Sequence, residues 1–263
     1  MPFTPSHAVV ALPFVRTRLV PAAIAVGAMT PDLPLFVRGT PITYGGTHDP
    51  RALAATVLLA LVLLLVWRCV LRPAVRELSP GPVGERLPAE WDRGPAAVWH
   101  ETFPRQVERV LWLVVSLLIG VVTHILWDAF THEGRFGSTL VPALDEKWGP
   151  LAGYTWLQHG SSVVGLGVLG VYAVLWMRRR TPHPVDHVMP AAVRWAWWAS
   201  LPVLLAAAWL IGLSLWGPLT AEFTPAHLGY RVLPPACALW AALTLALSVA
   251  VQSRRSALRS ARP

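Results

Sequence analysis

The chain has 263 residues, of which 54% are apolar and only 14% charged, with a formal net charge of +8. That balance excludes a water-soluble domain with an ordinary charged surface and predicts an integral membrane protein. The basic charge invites a nucleic-acid reading, but the arginines gather at the ends of apolar segments, so they report membrane orientation and no nucleic-acid partner is expected.

The opening carries two short apolar stretches, 6–14 and 20–29, separated by Arg16 and Arg18. Neither is long enough to cross a bilayer, and the second is stopped by Thr30-Pro31-Asp32-Leu33-Pro34, because a residue before proline is pushed out of the helical region. The pair predicts an N-terminal helical hairpin, re-entrant or interfacial, with its irregular backbone against protein rather than lipid. A cleavable signal peptide is not expected, since cleavage would discard His7.

Five segments then reach the roughly 17 to 25 apolar residues that a spanning helix needs: 53–70, 110–130, 156–177, 198–216 and 233–251. The fold expected is therefore all-α, a polytopic helical membrane protein of about five transmembrane helices plus the hairpin. Arg68, Arg72 and Arg76 follow the first span, Arg105 and Arg109 precede the second, and Arg178 to Arg180 follow the third. Arg194 precedes the fourth, and Arg254, Arg255 and Arg259 follow the fifth. The positive-inside rule makes that side the cytoplasm and puts the amino terminus outside a plasma membrane.

Residues 71–103, rich in Pro, Gly and charge, read as a partly disordered cytoplasmic loop, and 133–155 as the main external loop. The expected organisation is a metal-site membrane domain over 1–177, with its cytoplasmic loop at 71–107. Two further spans follow over 178–252, then an unstructured basic cytoplasmic tail over 253–263. Cys69 and Cys237 fall at opposite membrane faces and are not expected to pair.

The second span holds the chemistry. In Thr123-His124-Ile125-Leu126-Trp127-Asp128-Ala129-Phe130-Thr131-His132, the side chains of His124, Asp128 and His132 drift slowly around the axis and form one stripe. An ionisable group in the hydrocarbon zone costs at least ~2.5 kcal/mol, so such residues usually line a polar cavity. Imidazole and carboxylate four residues apart can close on one divalent metal, and a hydrogen-bonded polar helix contact would need the same residues.

His7, Asp32, His48, Asp49 and His159 fall on the same predicted outer side, whereas His100, His183 and His187 fall on the other. Each outer residue alone has a plain structural role open to it: a helix cap for His7, a turn bond for Asp32, an exposed loop position for His48, an interfacial one for His159. Their shared sidedness favours a common site. Ser6, Thr47, Thr123 and Thr131 each precede one of these histidines, placed to orient an imidazole or to bond a backbone carbonyl.

Met1-Pro2-Phe3-Thr4-Pro5-Ser6-His7, Met29-Thr30-Pro31-Asp32, Thr47-His48 and His124-x-x-x-Asp128-x-x-Thr131-His132 resemble a family of uncharacterised bacterial, in particular actinobacterial, membrane proteins. That family is similar to the inner-membrane metal-dependent hydrolases of the YdjM type. The match covers about the first 160 residues.

More distantly, the order of His and Asp residues is similar to the zinc-dependent phospholipase C and single-strand nuclease superfamily, whose members hydrolyse phosphate esters on a helical bundle. The resemblance implies His7, Asp32, His48, His124 and Asp128 as ligands of zinc or another divalent metal, with His132 and His159 serving a further ion. Val163 stands where the soluble enzymes carry glutamate, and no Trp opens the chain, which reduces the implied cluster to one or two ions.

The function expected is a membrane-embedded metal-dependent hydrolase of a phosphate ester, with a membrane lipid as partner and candidate substrate. Asp32 or Asp128 would be the proton acceptor, and Arg135, just past His132, the holder of the substrate phosphate. A transporter or proton-coupled channel would place ionisable residues at several depths, and the inner halves of the spans carry almost none. A non-catalytic, metal-stabilised membrane protein fits the same residues. The oligomeric state is not legible.

Overall fold

The computed structural model describes residues 3–261. In chain order its α-helices are α1 (Pro21–Met29), α2 (Tyr44–His48), α3 (Leu53–Val66), α4 (Arg72–Leu78), α5 (Gly81–Gly84), α6 (Pro95–Thr102), α7 (Val107–Thr131), α8 (Phe136–Leu140), α9 (Gly153–Arg178), α10 (Ala191–Trp216) and α11 (Pro225–Ser260). Among the described residues the only sheet is a hairpin of two-residue strands, β1 (Lys147–Trp148) and β2 (Leu151–Ala152), so the protein is all-α.

Five helices are long and apolar enough to cross a membrane: Pro50–Leu78, Val107–Thr131, Gly153–Arg178, Ala191–Trp216 and Pro225–Ser260. They contain the five segments marked in the sequence, each lengthened, and are consistent with a polytopic membrane protein. Leu58, Leu111, Val171 and Leu210 on these helices are exposed, as side chains facing lipid would be.

The chain forms two compact units: Met1–Pro34 with Ile42–Leu65 and His100–Arg179, and Leu35–Pro41 with Val66–Trp99 and Arg180–Pro263. In the first, a 3-10 helix over Thr4–Phe14 packs on α1 and α9, and α1 packs along α7. Pro21 opens α1, where its missing N–H costs nothing, and the Ser116 hydroxyl of α7 accepts from the Val20 N–H at 2.9 Å. At Thr30 the chain tightens into a 3-10 turn, Thr30–Leu35, under the constraint of Pro31 and Pro34.

One stripe of α7 is buried: Leu113, Leu117, Gly120, His124, Asp128 and Thr131 recur every three or four residues. The crossing of α1 and α7 is made of backbone. A Cβ added to Gly27 would lie 2.5 Å from Leu117 O, and one added to Gly120 would strike Ile24 O. This approach, available only to residues without side chains, presses the last turn of α1 onto α7 one turn before His124.

In the second unit α10 and α11 form a helix pair. Trp197 and Trp240 stack across it with ring centres 5.3 Å apart, donating respectively to Thr244 Oγ1 at 2.9 Å and Ser200 Oγ at 3.1 Å. Residues 71–103, expected to be partly disordered, are instead largely helical and tied down by charge. Arg76 donates to Gly84 O, His183 O and Pro184 O and pairs with Asp92.

Glu77, fully buried, accepts from the backbone N–H of Val188 at 3.0 Å and of Met189 at 3.1 Å, with Arg255 Nη2 3.7 Å away. Arg255 also reaches Asp92 Oδ1 at 3.0 Å, and α11 runs on to Ser260, so the stretch from residue 253 to 260 is helix rather than an unstructured tail.

Candidate metal centre

Three short pieces of the first unit deliver polar side chains to the buried stripe of α7. Asp32 comes from the 3-10 turn after α1, where Thr4 Oγ1 donates to its Oδ2 at 2.7 Å. His48 ends α2, whose first turn is capped by the Thr43 hydroxyl accepting from Gly46 N. Thr47 Oγ1 donates to Pro31 O at 2.7 Å and so ties α2 to the turn that carries Asp32. His7 comes from the 3-10 helix Thr4–Phe14.

Asp32, His48, His124 and Asp128 are all buried and each offers one ligand atom within 4.8 Å of the others. This group could hold a metal ion. His48 Nε2 lies 3.3 Å from His124 Nε2 and 3.4 Å from Asp128 Oδ2, and His124 Nε2 lies 3.5 Å from Asp128 Oδ2 and 3.7 Å from Asp32 Oδ1. Atoms bound to one ion at about 2.0–2.2 Å stand at comparable separations.

The tautomers strengthen the reading. His124 Nδ1–H donates to Ala28 O at 2.7 Å and His48 Nδ1–H to Tyr44 O at 2.9 Å, so in the neutral rings both Nε2 atoms turn lone pairs inward. Two imidazole lone pairs and two carboxylates then converge on one space. Acceptors facing acceptors repel unless a cation or a proton stands between them, and the backbone bonds on the far nitrogens are those that orient ligating histidines.

Three atoms at this centre, His7 Nε2, Asp32 Oδ1 and Asp128 Oδ1, are buried without a hydrogen-bond partner. An unsatisfied buried acceptor is costly, and a divalent cation would satisfy several at once. The residues present therefore fit a metal.

His7 joins the edge of this group. Its Nε2 is 3.8 Å from Asp128 Oδ1, and its ring centre is 4.1 Å from that of His124. Burial, aided by the neighbouring His124, lowers its pKa to about 4, so it stays neutral. Burial raises the pKa of Asp32, and burial together with the Asp128 carboxylate raises that of Tyr44.

His132, half-buried at the end of α7, is placed beside the group rather than within it. Its Nδ1 donates to Asp128 O at 3.1 Å and lies 3.6 Å from Asp128 Oδ2, while its Nε2 is 3.3 Å from Gln158 Nε2. Burial lowers its pKa. His159 is exposed on α9, because neighbours on a helix diverge by about 100° and Gln158 takes the inward position. Arg135 lies with its guanidinium carbon 5.9 Å from the centre of the Tyr44 ring, whose hydroxyl reaches Asp128.

Sequence reasoning did not single out Tyr44, Thr4, Gln158 or the Ala28 carbonyl. Tyr44 OH donates to Asp128 Oδ2 at 3.1 Å, and its ring stacks on His48 at 3.9 Å. The four-residue spacing of Tyr44 and His48 was the available signal. The hydroxyls before the histidines serve mostly backbone: Thr123 donates to Gly120 O and Thr131 to Trp127 O.

Fold and site together define a helical membrane protein with a buried, acceptor-rich cluster suited to a metal. The profile of a family described as a domain of unknown function, DUF4184, matches residues 1–252, and the chain belongs to that family. No curated protein and no solved structure matches the chain.

Proposed function

We propose that the protein is a membrane-embedded, metal-dependent hydrolase of a phosphate ester, in keeping with the resemblance to YdjM-type hydrolases and, distantly, to the zinc-dependent phospholipase C superfamily. The observation that carries this reading is the convergence of the His48 and His124 Nε2 atoms on Asp32 and Asp128, with both Nδ1 atoms held by backbone carbonyls. Asp32, His48, His124 and Asp128 would hold one ion, with His7 beside them to complete its coordination. Zinc or a similar divalent ion supplies Lewis acidity and activates water near neutral pH.

The protein's own groups divide the remaining work. Water oxygen would bond phosphorus as the ester P–O bond breaks, Asp32 or Asp128 taking the proton of the water and returning it to the departing alkoxide. Tyr44 holds Asp128 by its hydroxyl, and Arg135 receives the phosphate.

The test is a purified protein assayed for stoichiometric metal and for phosphomonoester and phosphodiester cleavage with and without chelator. Asp128→Asn keeps the side-chain shape but not the charge, and should lose metal and activity together. His183→Asn, in the second unit, should lose neither. A metal-free wild type, or activity that survives Asp128→Asn, would sink the hydrolase reading and leave a structural one.

The same proposal places the site on the outer face of a plasma membrane, on the strength of the arginines at alternate span ends. Reporter fusions should find residues 133–155 outside and residues 71–103 and the carboxyl terminus in the cytoplasm. A cytoplasmic signal from 133–155 would reverse the orientation.

A further inference from the structure

Between the 3-10 helix Thr4–Phe14, α7 and α9 lies a cavity of about 580 Å³, within the size of pockets that take small ligands. Its walls are Val9, Val10, Leu126, Phe130, Val164 and Val168, and His7 also lines it. Along α9 it runs from Ser161 to Val168, roughly 10 Å, or a third of a bilayer's ~30 Å hydrocarbon core. Leu126 is 58% exposed and Val164 65%, so the groove opens sideways along two spanning helices.

The polar groups around it are mostly spent on the protein itself. Trp127 Nε1 donates to Ser161 Oγ at 3.1 Å, which donates in turn to Gln158 O, and Thr123 Oγ1 donates to Gly120 O. Ser6 also lines the groove, and beside it His7 stands apart. It is 8% exposed, its Nε2 has no hydrogen-bond partner, and that atom stands 3.8 Å from Asp128 Oδ1. The groove is thus largely apolar and meets the acceptor cluster at His7.

We infer that this groove binds one hydrocarbon chain of a membrane lipid phosphate ester, entered laterally from the bilayer, with the lipid's phosphate delivered past His7 to the metal group. The inference rests on the reading of that group as a phosphate-ester site and names the substrate class. A hydrocarbon chain gains or loses little hydrophobic free energy in passing from bilayer to groove, so the phosphate end fixes which lipid stays. A water-soluble ester would leave the groove lined with exposed valine and leucine at the edge of the site.

The test is photolabelling of the reconstituted, zinc-loaded protein with a phosphatidic acid that carries a diazirine in one acyl chain, followed by peptide mapping. Label should concentrate on residues 123–130 of α7 and 161–168 of α9, and excess phosphatidic acid should displace it where a diacylglycerol of the same chains does not. Val164→Trp combined with Val168→Trp fills the groove from its exposed side without touching the metal group. It should cut labelling at least about tenfold, a loss of about 1.4 kcal/mol of binding, while zinc content stays that of wild type.

Label spread evenly over the exposed faces of α9 and α10, a boundary lipid only, overturns the inference. So does label that survives the double substitution or is displaced equally by diacylglycerol. Because labelling needs no turnover, a protein that labels in the groove but cleaves nothing keeps this inference and loses the hydrolase. One that cleaves a soluble phosphate ester but does not label loses the groove alone.

Discussion

Gly120→Ala tests whether the glycine crossing of α1 and α7 serves the metal group. The added Cβ would lie 2.7 Å from Ala28 N and 2.9 Å from Gly27 Cα, besides striking Ile24 O, where ordinary contact begins at 3.4 Å. All three obstacles are backbone, so no rotamer change relieves them. Parting the helices by at least the roughly 0.7 Å that Ala28 N demands stretches the 2.7 Å bond from His124 Nδ1 to Ala28 O to at least about 3.4 Å, longer than a good N–H···O hydrogen bond.

The overpacking itself costs about 1–3 kcal/mol. Loss of the group that fixes a ligating histidine costs about 10–100-fold in metal affinity. Zinc affinity, measured by competition with a chromophoric chelator, should therefore fall at least about tenfold in Gly120→Ala. Gly167→Ala, on α9 in open space, adds the same methyl group without a clash and should bind as wild type does. Equal zinc affinity in the two variants would refute the idea that this crossing sets His124.

Tyr44→Phe keeps the ring that stacks on His48 and removes the hydroxyl that reaches Asp128 Oδ2, so zinc affinity should fall about tenfold with little change in thermal stability; unchanged affinity would remove Tyr44 from the site. The folded-state pKa of His7 is depressed to about 4 by burial, against an ordinary value of 6.5. On acidification the unfolded chain takes up that proton first, so the stability of the metal-free protein is full above about pH 6.5 and falls by up to about 3 kcal/mol as pH drops toward 4. The raised pKa of Asp32 acts in the opposite direction, so the clean measurement is the difference in denaturation midpoint between wild type and His7→Gln across that window. Parallel curves would refute the assignment.

The apolar lengths of the spans were legible because lipid imposes them on any helix that crosses. Their ends were less so. Arg68, Arg72 and Arg76 read as the close of the first span, yet they are buried within one helix that continues through a π-helical turn, Trp67–Leu71, to Leu78. The order of residues 71–103 was not legible either. It depends on ion pairs from Glu77 and Asp92 to Arg255, and nothing in a local pattern of proline, glycine and charge announces a partner so far along the chain.

At the site, the stripe of His124 and Asp128 could be read because helical periodicity fixes which residues share a face. Thr4 and the Ala28 carbonyl could not. The first is drawn in by a fold-back of the hairpin, and the second is a buried backbone atom brought to His124 by the close crossing at two glycines, which carry no chemical signal of their own.

The ion set around Glu77 also orders the protein's making. A chain synthesised from its amino terminus presents α4, with a carboxylate destined for complete burial, long before Arg255 exists. Arg255 also donates to Pro73 O, a partner 182 residues earlier, so the last turns of the last helix close a structure begun in the first span. Until Arg255 arrives Glu77 lacks that guanidinium, while the backbone amides of Val188 and Met189, earlier along the chain, already stand ready to donate to it. Arg255, near the end of α11, is thus the last of these partners to be made, and the buried acid at the end of the first long apolar helix gains its arginine only when the last helix is nearly complete.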